Sequence, residues 1–236
     1  MNVDKSPITD LSEYKKGQLS ARPTKIAKKE ERSGLMQLEF GKKQEALLFV
    51  PKKYKAENPA PLALMHHGAG GNAHHGINII EAFAEEAGII ILATKSRNAT
   101  WDVIADRYGA DVEFIDLSLK HVFERYAIDK TRLAVGGFSD GASYALSLGI
   151  INGELFSHIL AFSPGFMAPT VQAGSPKIFI SHGTNDRVLP IDNCSRKLVP
   201  QLKRAGYELI YKEFNGPHTI PQEIGEEAVE WFTRNT

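Results

Sequence analysis

At 236 residues, 42% of them hydrophobic and 24% charged, the chain suits a single globular domain that can bury a core without covalent staples. Its 28 basic residues balance 28 acidic ones, which excludes a global field that would recruit nucleic acid or an anionic membrane surface. Cys194 is the single cysteine, which excludes an intrachain disulfide and a cysteine-based metal cluster.

The N-terminus begins Met-Asn-Val-Asp-Lys-Ser-Pro and stays polar, without the apolar stretch of a signal peptide. No later segment has the roughly 18 uninterrupted apolar residues of a membrane span, so a cytoplasmic protein without membrane insertion is expected. Residues 1–33, with Lys15, Lys16, Lys25, Lys28 and Lys29 interspersed with acids, read as an irregular arm or surface wrap. Residues 34–236 are left as the folded domain. Leu35 to Phe40 and Ala46 to Val50 flank Gly41 and suit a hairpin that Pro51 ends. From Leu62 onward strand-like and helix-like stretches alternate. Leu62 to His66 is an apolar strand, followed by a glycine-rich loop, a helix near Asn78 to Ala87 and a strand at Ile89 to Ala93. Asp111 to Tyr126 is the clearest helix, with Val112, Ile115, Leu119 and Val122 on one face. Arg132 to Phe138 reads as a strand and Asp140 to Leu148 as a small-residue helix that can lie close to a sheet. Strands follow at Ser157 to Phe162, Lys177 to Ser181 and Glu208 to Phe214. Between the last two, a helix runs from near Asp192, a suitable cap, to near Gly206, with Pro200 expected to kink or loosen it. Pro221 to Phe232 ends the chain as a helix with Ile224, Ala228 and Trp231 on one face. Such alternation predicts an α/β fold with a mostly parallel sheet and helices on both faces, whose ligands bind at the carboxyl ends of the strands.

The loops at those ends carry the chemistry. Gly137-Phe138-Ser139-Asp140-Gly141 satisfies Gly-x-Ser-x-Gly between a strand and a helix, a tight corner that pushes a serine hydroxyl into the cleft. A serine hydroxyl is a poor nucleophile until a positioned base takes its proton. His218, in Asn215-Gly216-Pro217-His218-Thr219 after the last strand, is the candidate base. Asp186, in His182-Gly183-Thr184-Asn185-Asp186, is the candidate acid that orients the imidazole, with Asp192 as its rival. The chain order Ser139, Asp186, His218 matches a nucleophile-elbow hydrolase. The loop His67-Gly68-Ala69-Gly70-Gly71 offers backbone N–H groups, and those of Ala69 and Asp140 can converge on an oxyanion. A phosphate-loop reading fails because the Lys-Ser/Thr ending and the dinucleotide spacing are both missing. The doublets His66-His67 and His74-His75 lack a clean carboxylate pattern, so no metal is assigned. Trp101, Phe166 and Met167 follow strands where substrate-lining side chains would sit, although core packing suits them equally well.

With these blocks in order, residues 35–236 resemble the phospholipase/carboxylesterase branch of the α/β-hydrolases, and more distantly the polyhydroxybutyrate depolymerase and feruloyl esterase group. The likeness rests on His66-His67-Gly68-Ala69-Gly70-Gly71, Trp101-Asp102, Gly136 to Gly141, Ser163-Pro164-Gly165, His182 to Val188 and Gly216-Pro217-His218. It implies an eight-stranded sheet, antiparallel only near its N-terminal edge. It also implies Ser139 as nucleophile, Asp186 as acid, His218 as base, no cofactor, and a small-molecule carboxylic ester or thioester as substrate. Met65-His66-His67-Gly68 replaces the usual Leu-His-Gly approach, and there is little or no lid insertion after the sixth strand. Both departures point away from long-chain lipids. An amidase or peptidase of the same fold, and a non-catalytic binding protein, remain the alternatives, and a homo-oligomer is left open.

Overall fold

The computed structural model describes residues 11–23, 30–40 and 44–234. Gly41, where the hairpin was expected to turn, and Lys25, Lys28 and Lys29 of the arm lie outside the described residues. In chain order the elements are α1 (Leu11–Tyr14), β1 (Gly34–Glu39), β2 (Glu45–Val50), β3 (Ala60–His66), α2 (Ala73–Asn78), α3 (Glu81–Ala87), β4 (Ile90–Thr94) and α4 (Asp102–Ala105). Then follow α5 (Ala110–Phe123), β5 (Ile128–Phe138), α6 (Asp140–Ile151), β6 (His158–Phe162), β7 (Lys177–Gly183), α7 (Ser195–Arg204), β8 (Leu209–Phe214) and α8 (Gln222–Thr233). The eight strands form one sheet in the order β1-β2-β4-β3-β5-β6-β7-β8. Among the described residues, only the strand pairs β1–β2 and β2–β4 are antiparallel.

The apolar runs become strands because both faces of the sheet are covered. Leu62, Leu64, Ile90, Leu92, Leu133, Val135, Ile159, Ile178 and Ile180 pack into the core shared with α5, α6 and α7. Their neighbours Ala63, Met65, Ile91, Ala93, Ala134, Leu160, Phe162 and Phe179 face the opposite core with α2, α3 and α8. Alternate side chains pointing to opposite faces explain why every position in these runs is apolar.

Several boundaries differ from the sequence reading. The helix expected over 78–87 begins only at Glu81, as α3, and a separate short helix, α2, ends at Asn78. Asn72 caps α2 by accepting from the His75 N–H at 3.1 Å, and the chain leaves helical geometry at Ile80 (φ −132°). β5 starts four residues earlier than expected, because Ile128 pairs with Ala60 across a register shift. Asp192 does not cap α7, whose N-cap position is Cys194; its carboxylate instead pairs with Arg196 at 2.8 Å. α7 continues through Pro200, which lies on its exposed side. Within the arm, Asp116 on α5 accepts from the N–H groups of Ser20 and Ala21 and from the hydroxyls of Tyr14 and Ser20. Asn152 accepts from the Leu19 N–H through Oδ1 and donates from Nδ2 to the Gly17 carbonyl, so residues 14–21 are bound to the α5–α6 face by buried polar side chains. Among the described residues no helix is long and apolar enough to cross a membrane.

Candidate active site

Parallel strands β3, β5, β6, β7 and β8 end on one side of the sheet, and the loops leaving them bring the candidate residues together. Ser139 occupies the corner between β5 and α6 with φ 59° and ψ −121°, a left-handed conformation that side chains avoid. Neighbouring bonds hold it there. Its N–H donates to the Phe162 carbonyl at 2.9 Å, and its carbonyl accepts from the N–H groups of Ala142 and Ser143, each at 3.0 Å. The corner also demands bare backbone at Gly141, where a Cβ would lie 2.2 Å from the His66 carbonyl oxygen.

Ser139 Oγ lies 2.9 Å from His218 Nε2, and His218 Nδ1 lies 2.5 Å from Asp186 Oδ2. The three residues expected to work together from separate loops are thus joined in one hydrogen-bonded line. Asp186 is fixed further by the N–H groups of Val188 and Leu189, which donate to its other oxygen at 2.9 and 2.8 Å. Burial alone would raise its proton affinity; these donors and His218 outweigh that and hold the carboxyl below its ordinary range. The ring of Phe138 packs 4.6 Å from that of His218 and limits its movement. Asp192, the rival acid, is exposed and engaged with Arg196, away from this line.

His182 had no role in the sequence reading beyond belonging to the Asp186 block. It is fully buried, with Nδ1 2.7 Å from Ser195 Oγ and Nε2 2.8 Å from the Leu189 carbonyl and 3.2 Å from Asp186 Oδ2. A carbonyl only accepts, so Nε2 carries the hydrogen and faces the same carboxylate oxygen as His218. Burial lowers the pKa of His182, so the ring supports Asp186 as a neutral donor. Its only signal in the sequence was its place at the end of an apolar strand.

The glycine-rich loop after β3 runs beside the serine, close enough that a Cβ on Gly68 would sit 3.4 Å from Ser139 Cβ. Neither the Ala69 N–H nor the Asp140 N–H has an acceptor among the described residues, and that of Asp140, in the first turn of α6, has no intrahelical partner. Thr100, absent from the sequence reading, donates from Oγ1 to Asp140 Oδ2 at 2.6 Å and ties the loop after β4 to this corner.

Trp101 does not line the cleft. It is fully buried, donates from Nε1 to the His67 carbonyl at 2.9 Å and stacks on Tyr144 at 4.8 Å, so it props the loop from below. The first histidine doublet, His66-His67, is equally structural. His66 packs edge-on against both Trp101 and Tyr144, and burial drives its pKa down to about 3. His67 donates from Nδ1 to the Gly68 carbonyl and accepts from the Ser96 N–H at Nε2, which fixes its neutral tautomer. His74 and His75 lie on the exposed side of α2. No three His, Cys, Asp or Glu side chains converge on a metal-sized site among the described residues. Phe166 and Met167 are half-buried in the loop after β6, which Ser143 holds by accepting from the Gly165 N–H at 2.9 Å; Met167 packs on the core.

Two openings flank His218. One, of about 300 Å³, is lined by Gly68, His75, Ile79, Phe138, Thr219 and Ile220. The other, of about 480 Å³, is lined by Asn185, Arg187, Val188 and Pro217.

A model of the phospholipase/carboxylesterase family matches residues 94–232, a segment that includes Ser139, Asp186 and His218. The chain belongs to this family. A protein of Aspergillus flavus described as "Probable feruloyl esterase C" is 30% identical over 158 residues, 63% of this chain and 57% of its own length. The chain therefore matches less than two thirds of that relative. The crystal structure of esterase PE8 superposes with a TM-score of 0.63 at 21% identity, covering 78% of this chain and 95% of the other. S-formylglutathione hydrolase FrmB from Staphylococcus aureus superposes with a TM-score of 0.66 at 13% identity, covering 86% and 100%. These likenesses show the α/β-hydrolase fold, with its eight-stranded, mostly parallel sheet.

Proposed function

We propose that the protein is a serine hydrolase that cleaves small carboxylic esters through an acyl-enzyme intermediate. The observation that carries this reading is the continuous line from Ser139 Oγ through the His218 ring to Asp186, at 2.9 and 2.5 Å. His218 Nε2 takes the hydroxyl proton as Ser139 Oγ bonds to the ester carbonyl carbon, and the carbonyl electron pair moves onto oxygen. The N–H groups of Ala69 and Asp140 receive that oxyanion; one such donor contributes about 2.7–4 kcal/mol to the transition state. As the carbonyl re-forms, the bond to the alkoxy oxygen breaks and the alcohol leaves with the proton from His218. Water then gives a proton to His218, attacks the acyl-serine and releases the acid, and Ser139 recovers its proton. Asp186 stays ionised throughout and stabilises the imidazolium.

The family and the relative described as a feruloyl esterase favour an ester over an amide. In this reading residues 34–236 form the catalytic domain and residues 1–33 an arm. A small-molecule substrate, no nucleic-acid partner, a cytoplasmic address and a homo-oligomer left open belong to the same proposal. The test is labelling by a fluorophosphonate probe, with turnover of matched p-nitrophenyl esters and anilides. Wild type should label and favour the ester. Ser139→Ala should fold and lose both label and turnover. Asp186→Asn should lose far more activity than Asp192→Asn. A folded wild type that neither labels nor turns over ester would sink the proposal, and faster amide cleavage would move it to an amidase.

A further inference from the structure

The two openings beside His218 differ in charge. The smaller is walled by Ile79, Phe138 and Ile220 and contains neither a carboxylate nor a permanent cation. The larger contains one permanent charge, the guanidinium of Arg187, beside Val188, whose apolar side chain is 66% exposed.

Local geometry puts these two side chains there. Asp186 Oδ1 accepts from the N–H groups of both Val188 and Leu189, which curls the loop around the buried carboxylate and turns residues 187 and 188 outward. The facing wall is clamped in place. The Asn185 N–H donates to the Gly216 carbonyl at 3.0 Å, and the Asn185 side chain donates to Asn215 Oδ1 at 2.7 Å. Arg187 itself forms no ion pair among the described residues. By contrast, Arg196, the nearest arginine in sequence, is engaged by both Asp192 and Glu213. An unpaired guanidinium with a forked donor face, at the wall of an opening shared with the candidate base, suits a ligand carboxylate.

We propose that Arg187 is a specificity-determining residue that selects esters bearing a carboxylate close to the scissile bond, with the apolar part of the substrate in the Ile79–Phe138–Ile220 opening. The substrate class is then acidic esters: half-esters of dicarboxylic acids, or esters whose alcohol carries a carboxylate. This inference rests on the serine-hydrolase reading and deepens it.

The test compares kcat/KM for acidic and neutral esters of matched length. One arm carries the carboxylate on the acyl side (p-nitrophenyl hemiglutarate against p-nitrophenyl valerate). The second carries it on the alcohol side (butyryl-3-hydroxybenzoate against phenyl butyrate). In at least one arm, Arg187→Gln should lower the acidic-to-neutral ratio by about three- to fivefold, the size expected of a solvent-accessible ion pair. The loss should fall mainly on KM, since the contact is made in ground and transition states alike. Arg187→Lys should keep part of the preference and Arg187→Glu should reverse it. In wild type the preference should shrink between about 0.05 and about 0.5 M salt. Unchanged ratios in both arms, with neutral esters still cleaved and Ser139 still labelled, would overturn the Arg187 assignment and leave the hydrolase standing. Failure of every ester together with absence of label would overturn both.

Discussion

Gly141→Ala is the sharpest probe of the nucleophile corner. A Cβ at this position would sit 2.2 Å from the His66 carbonyl oxygen and 2.5 Å from that of His67, short of the 3.0 Å that such atoms keep by about 0.8 Å at the nearer contact. Both obstacles are backbone at the end of β3, and β3 is paired on both sides, so α6 must do the moving. Since α6 starts at Asp140, a shift of that size moves Ser139 Oγ off His218 Nε2, now at 2.9 Å, and displaces the Asp140 N–H. Misplacement by about 1 Å can cost about 10²-fold in rate. Overpacking should also lower stability by about 1–3 kcal/mol. Gly153→Ala supplies the control: its Cβ would meet the Ala173 carbonyl oxygen at 2.1 Å, just past the opposite end of α6. Both variants should melt earlier than wild type. Only Gly141→Ala should lose about 10²-fold in kcat/KM and label slowly with fluorophosphonate. If Gly141→Ala kept wild-type kcat/KM, or if Gly153→Ala lost as much, the link from that contact to the serine's position would be wrong.

Three further expectations follow from the same geometry. His182→Phe removes the donor to Leu189 and Asp186 and strands the Ser195 hydroxyl, which should cost about 2–4 kcal/mol in chemical denaturation. Asp186 then has one donor fewer to fix its carboxylate, so kcat/KM per folded molecule should fall as well; a variant that loses stability but keeps wild-type kcat/KM would reduce His182 to packing. Asp111, whose pKa burial pushes up to about 6, holds its proton more tightly in the folded chain than in the unfolded one. Its contribution to stability is present below about pH 4 and is lost as pH rises to about 6, so Asp111→Asn should flatten the fall in Tm across that window, and an unchanged slope would place the titration elsewhere. Each methylene buried in the small opening adds about 0.8 kcal/mol until the tail reaches water, so kcat/KM should peak at acyl chains of about two to six carbons; a steady rise to about twelve carbons would reveal a missed acyl channel.

The sequence by itself determined the layers and the order along the chain of the candidate residues. Runs such as Leu62–His66 and Lys177–Ser181 read as strands buried on both faces because each alternate side chain has a core to enter. Gly137 to Gly141 read as a nucleophile corner because its constraint is local: a bend this tight excludes bulk two residues either side of the serine. Only the tertiary structure could decide distances between loops. Ser139 and His218 are 79 residues apart, and their contact depends on β5 lying three strands from β8 with all carboxyl ends aligned. It is the turn that aims the Asp186 carboxylate at His218, while that of Asp192 meets Arg196 in solvent. Trp101 resembled a pocket wall because an aromatic after a strand suits either role; Tyr144, on a helix 43 residues later, claims its face. His182 and Thr100 gave no pattern of their own, because each acts through a hydrogen bond whose meaning depends on what its partner touches. Periodicity records which way a side chain faces, whereas the groups it meets there are set by strand order and loop packing.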